Sequence, residues 1–525
     1  MNRSIPGFRP TAEVRNHGWK VSIPADWRIG VVAAMALLAG CAHSGQIPDK
    51  TSNQTAIPSL EQIIDLSDHD RFAEANSGLE TLLEPATLNS LAPDQQYTAL
   101  SYGAYVARRL KHLDRAQDLY RRTTALLQAD SDDWRGRFLC AIQKHDGLDA
   151  AESLATLARR WPEAARGLED EQIYAGLAEV QRTGNHDARY DLLLALFQLP
   201  FIPRDWSQAS ELWRDLALMQ LERNDPGAAR ESISNLSDPY VLISVQADNR
   251  FAAIRAGLED RLDVNAAALR LLQSWRAASD ANPNKLEPLV ILDDILIETH
   301  HYDEALQRTD AAIARASVGS GEPPFVDYAR WSAWLLDDRS RILRAQGRWD
   351  EGVAQLLEAS QRAKAAGRGD VSQTINLATV YNSIGEPRKA LAALVDVKPA
   401  NASPYGLMAA ESERMESALQ LNDREQASRS FEYLRTHQSD SMSLWESALL
   451  RLDRFDEAAE IFLDRLRDPD RRIAALMEVQ EFQQHPQTER SRAEDRRWRT
   501  MVARPEVQAA IASVGVIGHY DIGPH

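Results

Sequence analysis

Cysteine, aromatic residues and long apolar runs are all scarce in this sequence. Of 525 residues only two are cysteine, Cys41 and Cys140, so a disulfide framework is excluded. No cysteine pair has metal-ligand spacing and no glycine-rich phosphate loop occurs, so no metal or other cofactor is expected. Basic charge is in deficit: the formal net charge is -17, which disfavours non-specific nucleic-acid binding and favours solubility. Aromatics make up 7% of a chain that is 44% hydrophobic and 26% charged, ample for a large core. The longest uncharged apolar stretch near the start, Ile29 to Gly40, has twelve residues, too few to span a bilayer as a helix.

That stretch suits a secretory signal instead. It follows a basic, polar lead ending at Arg28, and Leu38-Ala39-Gly40-Cys41 closes it. The closing residues resemble the lipobox of bacterial lipoproteins, in which lipid is attached to the cysteine and the chain is cut just before it. The resemblance implies a signal peptide over 1–40, lipidation at Cys41, and a membrane contact made through the lipid. Ala42, where an inner-membrane retention signal would place Asp, implies an outer-membrane lipoprotein facing the periplasm. The 28-residue lead is long for the family, which leaves the true start open. Residues 41–58 are polar and read as a flexible tether. Structure is expected from Ser59, where Ser59-x-x-Gln62 precedes Ile63 and Ile64 as a capping box.

Beyond Ser59 the pattern is helical and repeated. Between Val371 and Pro399, Leu377, Ala378 and Tyr381 share one helical face, Gly385 breaks it, and Pro387 can open a second helix carrying Ala390 and Leu394. This spacing resembles a tetratricopeptide repeat. Related signals recur at Asp114-Arg115-Ala116, Asp303-Glu304-Ala305, Asp350-Glu351-Gly352, Glu425-Gln426-Ala427 and Asp456-Glu457-Ala458. Acidic residues there complement the helix dipole by about 0.3–1 kcal/mol each. The resemblance implies an all-α fold, an α-α superhelix forming a right-handed solenoid. Residues 59–316 read as degenerate repeats, with Gly147 to Trp161, Gly184 to Phe197 and Asp225 to Leu236 as second-helix candidates. Residues 325–484 read as clearer repeats. Between them Ser317 to Pro324 is a Gly/Pro/Ser loop, either a joint or a surface insertion. Residues 485–525 read as a polar segment without a helical face, followed by a capping helix bearing Val507, Ile511 and Val514.

Several residues invite a catalytic reading. Soluble lytic transglycosylases pair a helical superhelix with a Glu-Ser followed downstream by Gly-Leu-Met-Gln. Here Gly406-Leu407-Met408 is followed by Ala409 and precedes Glu411-Ser412, while Glu446-Ser447 has no such sequence after it. No catalytic residue is assigned. His300-His301 lacks helical metal-site spacing and reads as solvated turn residues. Cys140 reads as a small core residue, and Arg496, Arg497 and Arg499 as part of a solvated face.

Function in repeat arrays of this kind usually resides on the surface lined by the first helix of each repeat. The register places Ile375, Thr379 and Asn382 there, with Arg341 and Arg344 from the repeat before. Asp294 and Glu298 come from the one before that, and Glu416 from the one after. Arginines among acidic neighbours suit a protein or peptide ligand in a concave groove. The expectation is a non-enzymatic scaffold or adaptor in envelope assembly, secretion or polysaccharide export. The alternative is an enzyme, or an enzyme activator, acting on peptidoglycan.

Overall fold

The computed structural model describes residues 59–199, 201, 206–317, 324–365 and 371–523. Cys41, the segment before it and the tether lie outside the described residues, as do residues 318–323. Among the described residues the chain is all-α, with twenty-eight α-helices and two strands of two residues each. The first helix, Leu60–Asp68, is opened by the expected capping box between Ser59 and Gln62.

The repeat is one local device used ten times. A single residue with φ between 55° and 82° ends a first helix, and a second helix begins two residues later. In the first half these turn residues are Asp70, Lys111, His145, Gly184 and Asn224. In the second half they are His300, Gly347, Gly385, Asn422 and Asp453. In nine of the ten the next N–H reaches the carbonyl five residues back, as His112 to Ala107 and Glu386 to Tyr381, both at 2.8 Å. That is the Schellman ending, which satisfies carbonyls left over at a helix C-terminus. Five residues past the turn residue stands alanine or glycine, with Arg189 the exception. Seven of those alanines, among them Ala116, Ala305 and Ala390, are fully buried. A side chain no larger than a methyl lets the two helices of a hairpin approach closely.

The described residues form two compact units that divide after Ser232. The first contains the hairpins turning at Asp70 through Asn224. Its second helices include Gly147–Arg160 and His186–Gln198, and Pro226–Ser234 runs up to the division, all three close to the ranges expected. Cys140 is fully buried there, its thiol donating to the Leu113 carbonyl at 3.6 Å, and burial pushes its pKa up to about 11. It is a core residue and not an activated thiol.

The second unit opens with Pro239–Ala247, a helix buried along almost its whole length, and Val264–Ala281. Five hairpins follow, and the chain then returns across them. Glu481–Phe482 pairs in parallel with His519–Tyr520, Asp248 bridges Gly515, and the Tyr240 hydroxyl donates to the Gly523 carbonyl at 2.7 Å. The helix Pro505–Val514 buries Val507 and Ile511 beside Phe462 and Leu466 of the last hairpin. The helices flanking residues 318–323, Tyr302–Ser317 and Tyr328–Ala345, share one apolar cluster through Ala312, Phe325 and Leu335.

One stretch differs from its sequence reading. Residues 489–502 form a regular helix, opened by Thr488, whose hydroxyl accepts from the Ser491 N–H at 3.1 Å. Its buried apolar residues are only Trp498, Met501 and Val502, all at one end. Three positions in one turn give no periodic signal, and the rest of the inward face is polar.

Candidate functional site

The turn residues define the inner face. Asp294, Arg341, Thr379 and Glu416 each stand six residues before a turn residue, and Arg344 and Asn382 three before. Glu298 and Arg451 stand two before theirs. Successive first helices therefore present these side chains in register. The same six-before positions in the first unit hold Ile64, Tyr105, Leu139, Ala178 and Leu218, none of them charged. At the six-before positions, charged side chains belong to the second unit alone among these ten hairpins.

That face is not open. Most of the seven candidate residues are bonded to neighbouring side chains or backbone, and the chain's own residues from 481 to 523 cover part of the face. Asp294, Glu298, Thr379 and Asn382 are buried. Arg341 Nη1 donates to Asp294 Oδ1 at 2.6 Å and to Asp338 Oδ1 at 3.2 Å. Arg344 has no carboxylate at that distance, its buried Nε has no partner, and burial pulls its pKa down to about 10. The Thr379 hydroxyl donates to the Ile375 carbonyl, and Asn382 Nδ2 donates to Glu413 Oε2 at 2.8 Å. Glu416 accepts from Gln420 Nε2 at 2.8 Å. The Glu298 carbonyl accepts from the Gly523 N–H at 2.7 Å. These residues face inward as the register implies, and protein packs around them.

Arg451 is the centre of the covered face, and sequence reading missed it. Its side chain is 7% exposed, with Nε 2.9 Å from Glu494 Oε1 and 3.4 Å from Glu416 Oε2, and Nη2 3.8 Å from Glu413 Oε1. Nη1 donates to the Ser412 hydroxyl and carbonyl, both at 2.8 Å. Three carboxyl groups thus share one guanidinium. Burial pushes Glu413 up to about 7 and raises Glu494 as well, because one cation cannot offset three desolvated anions. Between this floor and the covering helix remains a gap of about 10 Å³, room for one water. Treating the two-before positions as part of the face, as Glu298 already required, would have found Arg451 from sequence.

A second contact ties the cover to the first of these hairpins. The Tyr302 hydroxyl lies 2.5 Å from His300 Nδ1 and 2.6 Å from His485 Nδ1, and the two imidazoles are 5.2 Å apart. His300 is therefore not a solvated turn residue. Its φ of 61° turns the chain, and its ring is half-buried against the returning segment. Burial pulls His485 down to about 4, with the neighbouring His300 and Arg341 acting in the same direction.

The catalytic candidates fare differently. Glu446 is fully buried and paired with Arg465 at 2.7 Å, out of a substrate's reach. Glu411 accepts from Ser430 and Arg414, each at 2.7 Å. No group of three or more metal-ligating side chains occurs among the described residues. Arg497 pairs with Asp453 at 2.8 Å, and Asp495 is buried, accepting from Gln487 at 2.8 Å. This helix is accordingly not the wholly solvated face expected.

No protein-family model matches this chain, and no curated protein matches it either. Solved structures do align with it. Rap protein complexed with competence and sporulation factor is 14% identical over 80% of this chain and 99% of that one, with a TM-score of 0.31. Yeast Tom70 is 12% identical over 86% and 98%, with a TM-score of 0.32. The Cut9–Hcn1 structure is 12% identical over 86% and 94%, with a TM-score of 0.28. Likeness at this level carries no inference about what this chain binds. The tetratricopeptide-like architecture stands on the ten hairpins themselves.

Proposed function

We propose that this chain is a lipid-anchored scaffold on the periplasmic side of the outer membrane, holding protein partners in envelope assembly, secretion or polysaccharide export. The observation that supports partner binding is the inner face of the second unit. It already holds a length of polypeptide through ion pairs and hydrogen bonds set by successive first helices. An array that positions Arg451, Asn382 and Glu416 on neighbouring helices reads an extended or helical chain, not a small molecule. The envelope address rests on the signal segment and Cys41. Two measurements test the reading. Labelled palmitate should appear on the parent and be absent from C41A, which should also remain uncleaved or mislocalised. Affinity capture from envelope membranes should return a defined protein partner. Muropeptide release by the purified chain would favour the peptidoglycan-acting alternative instead.

A further inference from the structure

The returning segment is held unevenly. At one end Phe482 packs near Tyr240 and Tyr520, and at the other Trp498 sits against Phe462 with ring centroids 5.3 Å apart. Between them, residues 483–494 form a strap with no fully buried side chain. Its hold on the inner face is polar: Glu494 on Arg451, His485 on Tyr302, and the Arg490 guanidinium 3.6 Å from the point a Cβ on Gly385 would occupy. Water can replace polar contacts of this kind, whereas the apolar anchors have no such substitute. The strap can therefore lift while both its ends stay in place.

Charge points the same way. The strap carries Arg490 and Arg492 against Glu489 and Glu494, so it is neutral overall, in a chain of net charge -17. The floor beneath it offers Glu413 and Glu416, with Asp453 at its edge pairing Arg497. Glu494 adds a third carboxyl to a floor with one guanidinium, so lifting the strap relieves crowding around Arg451. Arg490 and Glu494 are four residues apart, one helical turn, and both line the small gap over Asn382 and Arg451.

We propose that this floor is a docking site for a helical segment of a protein partner bearing an arginine and a carboxylate one turn later. Residues 483–494 occupy the site in the partner's absence. The inference rests on reading the inner face as a protein-binding surface. It adds the chemistry of the partner and a competitor built into the chain, whose tethering makes it effective at high local concentration.

The probe is a fluorescein-labelled peptide of this chain's residues 484–496, titrated against the full chain. R490A/E494A should loosen the strap and leave the anchors. The peptide should bind this variant at least about tenfold more tightly than it binds the parent. A peptide carrying Glu494→Lys should bind it at least about tenfold more weakly than the native peptide does. Equal binding to parent and variant, no binding to a variant that keeps its helical signal, or equal binding of the Lys peptide would overturn the proposal. Should the double variant unfold, E494Q alone supports the same comparison. Peptide binding without any captured envelope partner would sink the scaffold reading and leave the docking site. Captured partners whose binding ignores both variants would do the reverse.

Discussion

Buried charge makes individual residues informative. Arg341 sits between Asp294 and Asp338 with its side chain 12% exposed, and both carboxyl groups beside it are almost buried. Removing one partner of such a network leaves uncompensated charge, at a cost of about 3–5 kcal/mol. R341A should therefore lower stability in urea by about that amount, and a loss under about 1 kcal/mol would mean that water solvates these carboxylates. Glu413 and His485 titrate in opposite senses. The Glu413 pKa is raised from 4.5 to about 7, so the stability it contributes is present below 4.5 and lost as pH rises through about 7. E413Q removes that dependence, so its melting temperature relative to the parent should climb from pH 4.5 to pH 8. A difference that stays flat would show a solvated carboxylate. His485 is lowered from 6.5 to about 4, so its contribution is present above 6.5 and lost as pH falls through about 4. Hydrogen exchange of residues 483–488 should quicken on acidification across that window while Val507 and Ile511 stay protected.

At the scale of the element, the hairpin turn decides how much could be read in advance. Every turn needs a left-handed residue, yet glycine supplies it only at Gly184, Gly347 and Gly385. Asp, Asn, His and Lys fill the rest, at a cost of about 1–2 kcal/mol for a residue with a Cβ, less for Asn and Asp. The repeat around Gly385 was legible because glycine, a proline two residues later and a small residue three beyond that coincide. In the first half Lys111 and His145 gave no such cue, although Ala116 and Ala150 five residues on kept the spacing. Lys111→Gly should accordingly stabilise the chain by about 1 kcal/mol, and Gly385→Ala, at φ 82°, should destabilise it by about as much. Thermal melts showing the same sign for both would refute the account. The inner-face positions followed from this register as well. Their burial did not, because the covering helix 489–502 reads as solvated until its partners on other helices are known.

Among the described residues, each unit holds five local hairpins, and the second adds a long-range closure. Within a hairpin array each unit touches its neighbours, so damage should stay local. Ala390 is fully buried between two close helices, and A390E should cost several kcal/mol. Hydrogen exchange should then show lost protection around residues 371–421 and little change in residues 93–160. Uniform loss across both units would contradict a quasi-one-dimensional chain.

The exceptions to that locality are the contacts of the returning chain, among them the bond from Tyr240 to Gly523, whose partners are 283 residues apart. Neighbouring hairpins close over some 31–47 residues, so this contact spans about three doublings more, and closing it costs about 2 kcal/mol extra in chain entropy. The strap and tail also follow every hairpin in the chain. Because residues 481–523 follow all five hairpins of the second unit, those hairpins emerge, during synthesis or export, before the segment that covers them. A partner present at that moment meets no competitor. The order in which the chain is made thus becomes a second means of loading it, available once in each molecule's lifetime.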